Sequence, residues 1–66
     1  MIRVNDLHSL PWQEGKTVAA VLRELGWDYV LITVTVNGRY VPPEEYETAL
    51  IPDAADVRAI HIAHGG

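Results

Sequence analysis

Residues 30–41, which read VLITVTVNGRYV, decide the fold of this chain. β-Branched apolar residues recur at every second position, and this alternation favours a strand with one buried face. The residues predicted for that face are Val30, Ile32, Val34 and Val36. Asn37-Gly38 is a preferred pair for two-residue hairpin turns, so it predicts a second strand at residues 39–41. Pro42-Pro43 ends that strand because proline has no backbone N–H to donate.

The segment before this hairpin has the pattern of an amphipathic helix. Thr17 can cap the N-terminus through its hydroxyl group, and Gly26 stands where a helix often ends in a left-handed residue. The apolar stripe between them has the spacing i, i+3, i+4, i+7. It consists of Val18, Val21, Leu22 and Leu25. The sequence therefore predicts one main helix.

Both ends of the chain predict further strands. Ile2 and Val4 alternate with polar residues, and Asn5-Asp6 offers a turn into a returning strand at residues 7–12. After an irregular helical turn at residues 44–49 and a loop at 52–56, residues 57–63 form the last predicted strand. Five strands with one helix indicate an α+β fold, a mixed sheet curled over the helix. A helical crossover brings the outer strands together at the middle of the sheet, as in a β-grasp.

Composition limits the classes of protein that fit. The 66 residues make one domain, and 48% hydrophobic with 21% charged residues indicates a folded chain. The chain has no cysteine, which excludes disulfides and thiolate zinc sites within it. A net charge of -4 disfavours nucleic-acid binding, and the N-terminus has no long apolar stretch for a signal peptide or membrane anchor. We expect a cytoplasmic protein with protein partners.

The inventory of side chains argues against an enzyme. The sequence contains no glycine-rich phosphate loop, and its histidines do not form a convincing metal site. His61 and His64 are three residues apart on a predicted strand, so their side chains are expected on opposite faces. The acidic run at residues 44–47 is best explained by surface solvation. The aromatic residues are expected in the core and at its rim. They are Trp12, Trp27, Tyr29, Tyr40 and Tyr46.

The C-terminal end carries the candidate chemistry. Gly65-Gly66 follows the last predicted strand directly, with His64 before it. Glycine has no Cβ, so such a tail can enter a narrow cleft, and three residues reach ~10 Å from the sheet. The alternative reading is a frayed terminus without a function. We expect residues 63–66 to form a flexible tail.

Several motifs together resemble the ThiS family of sulfur carriers, over almost the whole chain. They are Thr17-Val18 with Leu22, Val36-Asn37-Gly38, Val41-Pro42 with Tyr46, and Gly65-Gly66. The resemblance implies a ubiquitin-like β-grasp. Two positions depart from the family pattern. Asp53-Ala54-Ala55 lacks the usual glycine, so we expect a turn conformation that alanine tolerates, and Pro43 replaces a common basic residue.

The resemblance also implies a function, with the chain as a carrier and its partners as the enzymes. A ThiF/MoeB-like enzyme would use ATP to adenylate the Gly66 carboxylate, and a donor such as a cysteine desulfurase would supply sulfur. The resulting thiocarboxylate would be passed to a thiazole synthase-like acceptor in thiamine biosynthesis. The carrier itself would bind no cofactor or metal. The alternatives are a MoaD-like carrier for molybdopterin or another sulfur pathway, and a β-grasp interaction module or ubiquitin-like modifier.

The last strand offers a candidate docking surface beside the tail. If Val57 and Ala59 face the helix, Ile60 and Ile62 are exposed, with Arg58 on the same side. If the alternation is reversed, the two isoleucines are core residues and the surface disappears. We expect exposure, and we expect a partner to dock there.

Overall fold

The computed structural model describes residues 1–27 and 31–62. Within these ranges, five strands and one main helix follow one another in the predicted order. The predicted strand residue Val30, the aromatic Tyr29 and the tail from Ala63 to Gly66 lie outside the described residues. The elements are β1 (Ile2–Val4), β2 (His8–Leu10), α1 (Val18–Leu25), β3 (Ile32–Val36), β4 (Arg39–Val41), a 3₁₀ helix (Pro43–Glu45) and β5 (Asp56–His61).

Helix α1 has the predicted caps at both ends. The Thr17 hydroxyl oxygen accepts a hydrogen bond from Ala20 N at 3.2 Å. Gly26 is left-handed with φ 76°, and the Trp27 N–H donates to Leu22 O at 2.8 Å. This pattern is a Schellman motif, which satisfies carbonyl groups that the last turn leaves free. The predicted helix is therefore confirmed.

The sheet has the strand order β2-β1-β5-β3-β4. Strands β1 and β5 are parallel and lie at the centre, whereas the other neighbouring pairs are antiparallel. The first and last strands of the chain therefore meet at the middle of the sheet, as the β-grasp prediction requires. The tail therefore follows β5, a central strand that pairs with β1 at its start and with β3 from Val57 to His61.

The core lies between α1 and one face of the sheet. Side chains on that face alternate with side chains on the opposite side, so each strand supplies every second residue. The largest fully buried side chains are Ile2, Val4, Val18, Val21, Val34 and Val57. We call the side of the sheet away from α1 the open face. None of the helices within residues 1–27 and 31–62 has the length and apolar character that a membrane span requires.

Several boundaries differ from the predictions. β3 begins at Ile32 and leaves Leu31 outside the strand, and β5 ends at His61 and leaves Ile62 outside it. β2 spans His8–Leu10 because Leu7 belongs to the preceding turn and Pro11 cannot donate to the ladder. β5 spans Asp56–His61, one residue earlier at its start than predicted. The helical turn predicted at 44–49 begins with the 3₁₀ helix Pro43–Glu45, where proline at the first position suits helical φ.

The expectation for the turn at Ala54 is wrong. Ala54 has φ 62°, the left-handed conformation that costs a residue with a Cβ about 1 kcal/mol or more. The chain is fixed on both sides of this turn. Asp53 pairs with the Met1 amino group at 3.3 Å, and the carbonyl oxygen of buried Ala55 accepts from Arg3 N at 3.0 Å. These contacts leave a left-handed residue between them, although alanine disfavours it.

Candidate docking face and tail exit

The tail leaves the sheet from a well-supported point. β5 pairs with β3 as far as His61, and the Ile62 N–H donates to Leu31 O at 3.0 Å. This is the last described hydrogen bond before the predicted sulfur-bearing tail. His64, Gly65 and Gly66, which the sequence singles out, lie outside the described residues.

The predicted exposure of Ile60 and Ile62 is confirmed. Their side chains are 63% and 47% exposed, respectively. The physical reason is the alternation along β5, in which Val57 and Ala59 point into the core and are almost fully buried. The alternative, in which the two isoleucines belong to the core, is thereby excluded. That a partner binds them remains a prediction.

Leu31 extends this exposed surface and was missed by the sequence analysis. Its side chain is 73% exposed, and its carbonyl oxygen holds the Ile62 N–H. Thr33, two residues on, pairs with Ile60 across the sheet. We call Leu31, Ile60 and Ile62 the apolar patch. The signal was present in the sequence, because alternation that buries Ile32 leaves Leu31 outside.

Arg58 lies on the open face but is held by its own chain. Its guanidinium group contacts Asp6 Oδ2 at 3.0 Å and Asp56 Oδ2 at 3.4 Å. The charge of Asp56, followed by that of Asp6, raises the pKa of Arg58 above its ordinary value. Arg3 lies beside Asp56 in the register of β1 with β5. This end of the open face therefore carries opposite charges that form ion pairs, whereas the apolar patch lies at the end nearer the tail.

His61 lies on the helix side of the sheet, away from the apolar patch. Its ring packs edgewise on Trp27, with the ring centroids 5.5 Å apart. His8 packs on the same indole ring, also at 5.5 Å. His61 is nevertheless exposed, because it lies beyond the end of the core. Among residues 1–27 and 31–62, no three metal-ligating side chains are grouped together.

The aromatic residues mostly line the core, as predicted. Trp12 Nε1 donates to Ile51 O at 2.6 Å, and the Tyr46 hydroxyl donates to Ile32 O at 3.0 Å. Trp27 is partly buried beside the histidines. Tyr40 differs, because it lies on the open face opposite Thr35 and is largely exposed. It adds an exposed aromatic ring to that face, which the sequence analysis did not predict.

Comparison with known proteins agrees with this architecture. The model of the ThiS family matches residues 4–66, which is nearly the whole chain and includes both terminal glycines. The chain belongs to the ThiS family. Its members are small sulfur carriers with a ubiquitin-like β-grasp fold.

A solved structure shows the same fold. The crystal structure of the thiamine biosynthesis protein (ThiS) from Geobacter metallireducens superposes with a TM-score of 0.77 at 22% sequence identity. The alignment covers 98% of this chain and 97% of that one. The search of curated proteins gave no match. The shared fold confirms the β-grasp prediction.

Proposed function

We propose that this ThiS-family chain carries sulfur as a thiocarboxylate on Gly66 and delivers it to thiazole formation in thiamine biosynthesis. The observation that carries the proposal is the extent of the family match, which reaches residue 66 and so includes Gly65-Gly66. The name of the structurally similar protein, a thiamine biosynthesis protein, supports the choice of pathway.

The first step activates the terminal carboxylate. A C-terminal carboxyl group has a pKa near ~3.5, so it is ionised at neutral pH and resists attack by a sulfur nucleophile. A ThiF/MoeB-like partner solves this by positioning ATP beside the tail. A Gly66 carboxylate oxygen attacks the α-phosphorus, pyrophosphate leaves, and an acyl adenylate forms.

The second step introduces sulfur. A sulfide nucleophile attacks the Gly66 carbonyl carbon, and AMP leaves with the oxygen that had attacked phosphorus. The product is a thiocarboxylate. A protein persulfide, formed for example by a cysteine desulfurase, would first give an acyl disulfide, and a second thiol would then release the thiocarboxylate as a disulfide forms. A thiazole synthase-like enzyme is the proposed acceptor.

The apolar patch supports this proposal because both steps need the tail inside a partner. Leu31, Ile60 and Ile62 lie on the open face at the end of the sheet from which the tail departs. Exposed apolar groups of this kind mark interaction surfaces, and buried anchors of an interface each contribute about 1 to 2 kcal/mol or more. A partner that covers the patch would hold the body of the carrier while the tail enters the active site.

Intact mass spectrometry tests the carrier proposal. We expect incubation with ATP, a ThiF/MoeB-like enzyme and sulfide to give a mass gain equal to the replacement of one oxygen by sulfur. The matched control is the chain without Gly66. It still ends in a glycine carboxylate but is one residue shorter, so we expect at least a tenfold lower yield, because the carboxylate no longer reaches the ATP.

The same assay separates the alternatives. If the intact chain gains no sulfur with several active enzymes of this type, yet still binds them, it is an interaction module and the carrier proposal fails. If it gains sulfur but passes it only to molybdopterin synthase-type acceptors, the carrier role holds and the thiamine pathway is wrong. If it becomes attached to lysine side chains instead, it is a ubiquitin-like modifier.

A further inference from the structure

The last strand is supported unequally by its two neighbours. On the β3 side, β5 is paired from Val57 to His61. On the β1 side, the pairing consists of Arg3 with Asp56 and Val4 with Val57. It stops there because the chain turns away after Val4 into the β1–β2 turn. The half of β5 that leads to the tail therefore lacks a strand partner on one side.

Asn5 takes the place of the missing strand. Its backbone N–H donates to Val57 O at 2.9 Å, which continues the parallel ladder. Its side-chain amide binds both backbone polar groups of Ala59. Nδ2 donates to Ala59 O at 2.9 Å, and Oδ1 accepts from Ala59 N at 2.8 Å. An asparagine amide offers the same donor and acceptor as a peptide group. It therefore adds one rung to the ladder, two residues further along β5.

The backbone of Asn5 is shaped for this contact. Its φ of 55° is left-handed, a conformation that asparagine tolerates better than most residues. Both hydrogen bonds are partly buried, which protects them from competition by water. The two residues after Ala59 are Ile60, which belongs to the apolar patch, and His61, which packs on Trp27. Asn5 is thus the last hydrogen-bonding support on the β1 side before the tail, within the described residues.

We propose that Asn5 is a positioning residue, whose amide fixes the course of β5 up to Ile62 and so the point from which the tail reaches a partner's active site. This inference rests on the proposed carrier function. A carboxylate that must meet ATP needs a defined approach, and small displacements of a reacting group reduce rates strongly. Asn5 acts through the backbone of β5 and does not touch the reacting atoms.

The molecule contains a matched control at the opposite end of the same strand. Asn37 is also left-handed, with φ 51°, and its Oδ1 accepts from Asp56 N at 2.8 Å. Both asparagines thus use a turn conformation to bind the backbone of β5. Asn37 holds the start of the strand, far from the tail, and Asn5 holds the half that leads to it. The two side chains also differ in their contacts, because the Asn5 amide makes two partly buried hydrogen bonds and the Asn37 amide makes one that is exposed.

The test compares Asn5→Gly with Asn37→Gly. Glycine keeps the left-handed backbone and removes only the side-chain amide. At saturating carrier, we expect the rate of thiocarboxylate formation to fall about tenfold in Asn5→Gly and to change less than about twofold in Asn37→Gly. Urea unfolding curves measured at the temperature of the assay establish that both variants are fully folded there. Equal losses in the two variants would overturn the proposal, because they indicate a general effect of stability.

Amide measurements by NMR provide a readout that needs no partner. We expect exchange protection of the Ala59 N–H to fall in Asn5→Gly, and that of the Asp56 N–H in Asn37→Gly. We also expect ¹⁵N relaxation to show increased motion of residues 60–62 only in Asn5→Gly. Unchanged motion there would overturn the inference. If the wild-type chain never gains sulfur, the carrier proposal fails on its own, and relaxation still decides whether Asn5 fixes the end of β5.

Discussion

The two faces of the sheet are built from the same strands but differ in what their side chains do. Along β5, Val57 and Ala59 are buried against the core, whereas the intervening Arg58 and Ile60 are exposed on the open face. The covered face, which packs against α1, is apolar in the core and carries His8 and His61 at its edge beside Trp27. The open face combines a charged cluster around Arg58 with the apolar patch near the tail.

In this chain of 66 residues, the side chains that stabilise the fold lie on one face of the sheet, and those proposed to contact a partner lie on the other. Apolar groups on the covered face lose their contact with water on folding, and this burial drives the fold. Ile60 and Ile62 remain exposed to water, so they contribute less to folding and stay accessible to the proposed partner. A small protein can thus alter its partner contacts on one face without dismantling the core on the other.

The largest expected effect comes from the same substitution made on each face. Ile2, fully buried on the covered face, and Ile60, 63% exposed, are both changed to alanine. We expect Ile2→Ala to lower the free energy of unfolding by about 3 kcal/mol, because it leaves a cavity in the core. We expect Ile60→Ala to lower it by less than about 0.5 kcal/mol. Urea unfolding curves measure both changes.

Binding should reverse this order. We expect Ile60→Ala to weaken the affinity for the ThiF/MoeB-like partner about tenfold, and folded Ile2→Ala to leave it unchanged. Leu50→Ala is the control for a general loss of exposed apolar area, because Leu50 is 64% exposed outside the open face, in a bridge with Thr17. Equal weakening by Leu50→Ala and Ile60→Ala would break the proposed division between the faces.

An intermediate effect is expected at Tyr46, on the covered side. Its hydroxyl group donates to Ile32 O at 3.0 Å, so Tyr46→Phe should lower the free energy of unfolding by about 1 kcal/mol. Burial first, and the nearby Tyr40 second, raise the pKa of Tyr46. The neutral phenol is therefore favoured in the folded state, and its contribution is present below about pH 10 and lost as the pH rises through the folded pKa.

The pH dependence of the free energy of unfolding, compared between wild type and Tyr46→Phe, tests this role of the phenol. The stability difference between wild type and Tyr46→Phe should be constant from about pH 7 to 9 and shrink above about pH 10. Partner affinity should stay the same in both. A difference that grows at alkaline pH would contradict the hydrogen-bonding role of the neutral phenol.

The smallest expected effect is a gain in stability at Ala54, in the turn that leads into β5. Replacing this left-handed alanine by glycine removes the strain of φ 62°, which exceeds the added entropy of the unfolded glycine. We expect Ala54→Gly to raise the free energy of unfolding by about 0.5 kcal/mol, with partner affinity unchanged. Ala20→Gly, in helix α1, is the control and should destabilise, since its backbone is helical. A loss of stability in Ala54→Gly would show that the turn is relaxed.

Local sequence signals predicted most of the fold correctly. Thr17 and Gly26 defined the two ends of α1, and Asn37-Gly38 defined the hairpin between β3 and β4. These signals succeed because caps and tight turns depend on a few neighbouring residues. The alternation along β5 also predicted the exposed Ile60, and the terminal glycines with the helix and hairpin motifs led to the ThiS family.

Contacts between residues that are distant in the chain could not be predicted from local patterns. The left-handed Ala54 follows from anchors at Met1 and Arg3, and the pairing of Arg58 with Asp6 joins β5 to the β1–β2 turn. The bridge from Asn5 to Ala59 spans 54 residues. Local patterns were sufficient to predict the elements and the family. The hydrogen bonds that support β5 depend on which strands become neighbours, and the strand order forms only when the whole chain packs.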